Sequence, residues 1–363
     1  MHEAVSGTRA IALVGPAGAG KTCLAEAMLF AAGAIDRLGS TGNGSSIGDS
    51  SPEARARGGS TELNLMNFDW LDEHFALLDV PGATGFAADG TRALSAADLA
   101  IVVVDPDPAR APLAAPALRM LDELGIPHLI FVNRIDQARG SINELLQSLQ
   151  PMSVSPLIAR QIPIREGEKI TGFVDVALER AFHYVPGKPS ERIDIPPELA
   201  DRETQARTQL LEQLADHDDE LLEQLLMDET PQPDHVLRDL ARETRENLGV
   251  PVLFGSAANC FGVRRLMKAL RHEAPEPAST AQRLGVTDPA LFAFKVSNAG
   301  TMGRLVFARL LGGSLGEGAD VRDADGRTTR LGSLFAAQGE KMQRLGQAGD
   351  GEVVALAKLD QLK

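Results

Sequence analysis

Eight consecutive residues constrain this chain more than any other feature: Gly15-Pro16-Ala17-Gly18-Ala19-Gly20-Lys21-Thr22. They fit the full P-loop pattern, G-x-x-x-x-G-K-[ST]. A short apolar run, Ile11 to Val14, precedes them, and an Ala/Leu-rich stretch that reads as a helix follows. Strand, glycine loop and helix in that order open an α/β unit. In such a loop the glycines let backbone N–H groups close around phosphate oxygens, Lys21 reaches the β and γ phosphates, and the Thr22 hydroxyl binds Mg²⁺. The candidate phosphate-binding residues are Gly15, Ala17, Gly18, Ala19, Gly20, Lys21, Thr22 and Cys23, with Lys21 also a candidate catalytic group. A mere glycine-rich turn is the plain alternative. It is disfavoured because the motif sits between strand and helix, where its mechanism needs it.

Three further apolar runs, Phe75 to Val80, Leu99 to Val104 and His128 to Val132, alternate with helix-like segments such as Leu113 to Leu124. That alternation predicts a parallel sheet covered on both faces. Chemistry-bearing residues fall at the strand ends. Asp79-Val80-Pro81-Gly82 ends one run, where an acidic residue can hold the Mg²⁺ shell and the Gly82 N–H can serve the γ-phosphate. On its own, this tetrapeptide is equally an ordinary proline turn. Thr41 to Ser60, rich in Gly, Ser and Arg and without period, reads as a long loop, of the kind that is either functional or disordered.

Asn133-Arg134-Ile135-Asp136 follows the run ending at Val132. A carboxylate there can accept from the N1–H and N2–H₂ of guanine, a donor pair that adenine lacks. Alone it could be any strand-to-loop junction. Gly255-Ser256-Ala257 follows Val250 to Phe254, and a backbone N–H of Ser256 or Ala257 could bind guanine O6. The order of these elements carries more weight than any single one, because ligands bind at the carboxyl ends of strands in open α/β sheets.

The rest of the 363-residue chain suggests more than one compact unit. From about Gln137 to Gly249 the alternation breaks down, with proline-studded segments and one long, acidic, Leu-rich helical stretch, Asp201 to Glu229. This predicts a GTP-binding domain over 1–275 with an inserted subdomain at about 138–249. A linker over 276–284 and a small β-barrel of short strands over 285–363 follow. The expected fold class is α/β, a P-loop GTPase domain with an inserted subdomain, followed by a small β-barrel domain.

A net charge of −14 makes the chain a poor general polyanion binder, so DNA is not an expected partner. Two isolated cysteines, Cys23 and Cys260, indicate a reducing compartment. The polar N-terminus has no apolar signal core and no window approaches a membrane span, so a cytoplasmic monomer is expected. His74, His128, His183 and His217 stand in separate segments without ligand spacing.

These motifs together resemble elongation factor G and its close translational-GTPase relatives. The stretches that carry the resemblance are GPAGAGKTCLAEAMLF, ARARGGS ending at Ser60, DVPG, NRID, PVLFGSA and GVRRLMKAL, with FAFKV and GRLVFARLLGGSL for the second, barrel domain. The long interval between Asp136 and Ser256 matches that family's insertion. The resemblance implies GTP/GDP and Mg²⁺ as ligands, Thr22, Ser60 and Asp79 at the metal, and the ribosome, through rRNA and a stalk protein, as partner. The acidic stretch at Asp216 to Glu220 is either a solvated face or the stalk-docking surface. Four departures matter. The family's water-engaging histidine corresponds to Ala83, its switch threonine to Ser60 and its base-loop lysine to Arg134. The family's three further domains lie beyond Lys363, so the chain is expected to be a fragment of a longer factor or one that cannot translocate by itself. Ala83 favours an alternative, a GTP-binding ribosome-associated module with little or no hydrolysis. An unrelated P-loop ATPase is disfavoured by Asp136.

Overall fold

The computed structural model describes residues 7–40, 44–48, 60–82, 87–298, 302–323, 325–339, 341–357 and 359. Ala83, Thr84 and Phe86 lie outside them, as do Arg57, Gly58 and Gly59 of the expected switch segment.

The chain opens with β1 (Arg9–Val14), the glycine loop and α1 (Lys21–Ala32). The helix stops where Gly33 turns left-handed at φ 78°, placing its N–H on the Phe30 carbonyl at 3.0 Å. A hairpin of β2 (Asn64–Trp70) and β3 (Glu73–Asp79) follows, then α2 (Ala87–Ser95) and β4 (Leu99–Val104). Next come α3 (Ala115–Glu123), β5 (His128–Val132) and α4 (Ile142–Leu149). The middle holds β6 (Leu157–Ala159), β7 (Gln161–Glu166), β8 (Lys169–Asp175), β9 (Arg180–His183) and β10 (Glu191–Ile193). It continues with α5 (Ala200–Ala215), α6 (Asp219–Leu226) and α7 (Pro233–Arg245). After β11 (Val250–Phe254) come α8 (Val263–Glu273) and α9 (Pro277–Arg283). The C-terminal strands are β12 (Ala290–Asn298), β13 (Arg304–Leu311), β14 (Leu315–Gly316), β15 (Asp320–Arg322), β16 (Thr328–Arg330), β17 (Leu334–Gln338), β18 (Lys341–Leu345), β19 (Gln347–Ala348) and β20 (Val353–Ala357).

Contacts divide the chain into two compact units, Met1–Ala100 with Pro275–Lys363, and Ile101–Ala274. In the first, β1 pairs in parallel with β3, and β3 pairs antiparallel with β2. The same unit carries the sheet β12-β13-β20-β17-β18, the strand pair β14-β19 and the hairpin β15-β16, all antiparallel, over a core that includes Val306, Leu310, Leu334 and Leu356. The end of β17 and the residue after it cover the free side of β2. Asn67 N–H donates to Gln338 Oε1 at 2.8 Å and Gly339 N–H to the Leu65 carbonyl at 2.8 Å, so part of that edge is capped rather than exposed.

In the second unit β11 pairs in parallel with both β5 and β6. A separate antiparallel sheet, β10-β9-β8-β7, packs with α5, α6 and α7 on a core containing Ile162, Val174, Leu210, Leu214, Leu221 and Leu240. The strands β1, β4, β5 and β11 are buried along their whole length, which is why each reads as a continuous apolar run.

The mixed α/β architecture with antiparallel strands at the C-terminus is as the sequence predicts. Two elements differ. The stretch Asp201 to Glu229 is two helices, because the Asp218 carboxylate accepts from Leu221 N–H at 2.8 Å and caps a new start. The segment expected as a linker carries α9, opened by Pro277 at a first-turn position. No helix among the described residues is long and apolar enough to cross a membrane.

Candidate functional site

The phosphate loop needs a backbone that most residues resist. Gly15, Gly18 and Gly20 sit at φ 127°, 76° and 95°, in the left-handed half of the map where a Cβ is strained. Gly20 caps α1, so Lys21 and Thr22 enter at the helix N-terminus, where the helix dipole favours an anion. Lys21 and Thr22 are both buried. Lys21 Nζ donates to the carbonyls of Gly15 at 3.0 Å and Pro16 at 3.1 Å, folded back over its own loop. Ala17, Gly18 and Ala19 form the crown, with Ala19 N–H on the Pro16 carbonyl at 3.3 Å. Cys23 is partly exposed one residue beyond.

Thr22 is the meeting point of this half. Its Oγ1 donates to Asp79 Oδ2 at 2.7 Å, while Ser60 Oγ lies 3.1 Å away. Asp79 is fully buried at the end of β3, held there by Val80 N–H on the Leu13 carbonyl at 3.0 Å. The three oxygen donors expected at Mg²⁺ therefore converge from three segments. Hydroxyls and a carboxylate are the hard donors that ion takes, so the residues fit it. Gly82 approaches the loop so closely that a Cβ would lie 2.8 Å from both Ala17 N and the Gly15 carbonyl oxygen, and would strike Lys21 Nζ. Only glycine fits there.

The residues expected to read the base belong to the second unit, Ile101–Ala274. Asn133, buried after β5, accepts on Oδ1 from Arg134 N–H and from Ala257 N–H, each at 2.9 Å. One amide oxygen thus ties the Asn133–Asp136 turn to the Ser256–Ala257 turn. Ile135 N–H adds a bond to the Gly255 carbonyl at 2.9 Å. Arg134 adopts φ 57°, and its Nη1 donates to Asp105 Oδ2 at 3.1 Å. The guanidinium thus has a carboxylate partner on the loop after β4.

Asp136 Oδ2 accepts from Asn259 Nδ2 at 3.2 Å. Its Oδ1 is buried and has no hydrogen-bond partner among the described residues. A buried carboxylate oxygen left without a donor is costly unless a ligand supplies one. The guanine N1–H and 2-amino group supply such donors, so this atom fits the expected base. Ser256 is buried, its N–H on the Phe261 carbonyl at 2.9 Å, and the Phe261 ring stacks on Tyr184 at 4.7 Å. Asn259 went unread in the sequence, because no motif spacing links it to Asp136.

Two carboxylates and a histidine also meet away from these motifs. His235 Nε2 lies 3.3 Å from Asp218 Oδ2 and 3.4 Å from Asp239 Oδ2. Arg242 pairs with both acids at 3.4 Å, so a cation is already built in.

Comparison with known proteins gives a consistent outcome. The family described as the elongation factor Tu GTP-binding domain matches residues 6–276. An elongation factor G-like protein of Synechocystis is 38% identical over 359 residues, covering 98% of this chain and 53% of that protein. Elongation factor G 2 of Streptomyces coelicolor is 30% identical over 357 residues, covering 94% and 52%. A crystal structure of a Thermus thermophilus protein superposes with a TM-score of 0.88 at 29% identity, over 99% of this chain and 53% of that one. The chain spans about half the length of the relatives it matches.

Proposed function

Since the chain belongs to the elongation factor Tu GTP-binding-domain family, on its elongation factor G side, we propose that it binds GTP and GDP with Mg²⁺ and acts as a GTPase on the ribosome. The observation that carries the reading is the Thr22 hydroxyl bonded to Asp79 and facing Ser60 beside the Lys21 ammonium.

Thr22, Ser60 and Asp79 would hold Mg²⁺, which would supply neutralisation of charge on the phosphates. Lys21 leaves its loop carbonyls to donate to phosphate oxygens, and the Gly82 N–H donates to the γ-phosphate. Gly15 to Cys23 wrap the remaining phosphate oxygens with backbone N–H groups. Asp136 accepts from the guanine edge, Asn133 and Arg134 hold its turn, and the Ser256–Ala257 turn presents its N–H to O6. Loss of the γ-phosphate releases Ser60, which makes the preceding loop the switch. The partners are rRNA and the stalk protein, the state is monomeric and the compartment is the cytoplasm.

A second reading, GTP binding with very slow hydrolysis, is favoured by Ala83 standing directly after Gly82. Competition for a fluorescent GDP analogue tests the base reading. GTP and GDP are expected to compete tens to several hundredfold better than ATP and ADP, about 2–4 kcal/mol for a two-point contact to a carboxylate. Asp136→Asn is expected to shift the preference towards xanthine nucleotides. Equal competition by ATP and GTP would sink the reading.

A further inference from the structure

Among the described residues the Asp136 carboxylate accepts from one side chain, Asn259 in the turn after β11, which belongs to none of the recognised motifs. We propose that Asn259 is a positioning residue for guanine specificity: it fixes the rotation of the Asp136 carboxylate so that both oxygens meet the base edge together. This rests on the assignment of Asp136 to guanine.

Asn259 Nδ2 donates to Asp136 Oδ2 at 3.2 Å and to Ser256 Oγ at 3.0 Å. An ionised carboxylate only accepts, so the NH₂ end of the amide must face Asp136, and both of its hydrogens are engaged. The backbone beneath is held as tightly. Asn259 N–H bonds the Ser256 carbonyl at 3.3 Å, Cys260 turns left-handed at φ 58°, and Ser256 and Phe261 form a β-bridge. The amide is therefore a fixed fork set on a short closed turn.

Such a fork has a purpose here because the Cβ–Cγ torsion of aspartate is broad and not held by a rotamer well. A freely turning carboxylate offers one good acceptor at a time. With Oδ2 tethered on one lone pair, Oδ1 keeps a fixed direction, buried and without a hydrogen-bond partner among the described residues. Oδ2 retains a second lone pair. Guanine, with N1–H and a 2-amino group, needs both oxygens in one plane. Hypoxanthine, which lacks the 2-amino group, needs only one. The tether thus acts on the second contact and on the distinction between these bases.

The test is the affinity of the whole chain for GDP, IDP and ADP, measured for the native protein, Asn259→Ala and Asn259→Asp. For Asn259→Ala, GDP affinity should fall about tenfold and IDP affinity by about twofold or less, so that the GDP/IDP ratio contracts. Asn259→Asp keeps the size but sets an acceptor against a carboxylate, and should contract the ratio at least as far. An unchanged ratio in both variants overturns the proposal. So does an equal fall for GDP and IDP, which is the outcome of a purely structural role or a damaged loop. A native chain that fails to prefer GDP over ADP overturns the assignment of Asp136 itself.

Discussion

Thr22 Oγ1 is one atom serving two partners, Asp79 and Ser60, from segments 57 and 38 residues away. Removing it should act through the metal and not through the fold. Thr22→Ala is expected to lose most of the Mg²⁺ enhancement of GDP binding while leaving affinity in EDTA unchanged. Lys21→Ala should weaken binding in both conditions, because the role proposed for its ammonium is to donate directly to phosphate oxygens. Equal losses with and without Mg²⁺ for Thr22→Ala would remove this residue from the metal. Ala83 makes a separate demand. A methyl group can neither donate to nor accept from an attacking water, and losing a positioned water-orienting group costs about 10²–10⁴-fold in rate. Slow single-turnover hydrolysis with near-normal GTP affinity is expected, and Ala83→His should raise the ribosome-stimulated rate, measured on a chain carrying any further C-terminal domains. Fast turnover by the native residue would show that another group orients the water.

At the scale of elements, α7 carries a built-in electrostatic cost. Glu243 is 2% exposed and its Oε1 has no hydrogen-bond partner among the described residues. Burial pushes its pKa from 4.5 up to about 7, helped by Asp239, Asp216 and Glu246 and opposed by Arg242. A carboxyl raised in the folded state is harmless below its unfolded value and becomes a burden as pH climbs through its folded value. Stability from this site is therefore complete below about pH 4.5 and lost towards pH 7 and above. Glu243→Gln should match the native protein at pH 4.5 and exceed it at pH 8 by at most about 3 kcal/mol. Parallel melting-temperature profiles for the two proteins across that range would refute it. The same helical region shows the limit of reading elements from composition. The strands β1, β4, β5 and β11 were legible because burial along their whole length leaves them almost entirely apolar, with Arg9 and His128 as polar exceptions at the starts of β1 and β5. The break between α5 and α6 was not, since its signal is one aspartate among many acids, and whether Asp218 caps or merely faces water depends on where Leu221 N–H points. Strands β6 to β9 mix buried and exposed residues without a clean alternation, and the three residues of β10 are all exposed, so none gives a readable period. The site was legible where motif residues end strands, and silent at Asn259, whose partner Asp136 lies 123 residues away.

At the scale of the whole chain, residues from both ends are bound to one buried ion pair. Asp98, just ahead of β4, accepts from Ala10 N–H at 2.7 Å, from Thr280 Oγ1 at 2.5 Å, and from Arg309 Nη1 and Nη2 at 2.8 and 2.6 Å. Arg309, on β13, spends its remaining donors on the carbonyls of Gly351 at 3.1 Å, Ala96 at 2.5 Å and Thr8 at 3.2 Å. Both side chains are essentially fully buried. The joint ties β1, the lead into β4, α9 and β13, so the C-terminal strands are held to the phosphate-binding segment by charge as well as by packing. Such a pair is weak support for net stability, because desolvating two ions offsets their attraction, yet breaking it by removing one partner is severe. Arg309→Met leaves Asp98 buried without its bonded cation, with Arg283 the remaining nearby positive charge, and should cost about 3–5 kcal/mol in chemical denaturation. Asp98→Asn combined with Arg309→Met removes both charges while the amide oxygen keeps an acceptor for Ala10 N–H and the amide NH₂ can donate to the Thr280 hydroxyl. The double variant should therefore be more stable than Arg309→Met alone, a non-additivity that two independent sites cannot produce. If the double variant is instead destabilised by the sum of the single effects, Asp98 and Arg309 do not act as a pair, and the joint is held by its backbone contacts.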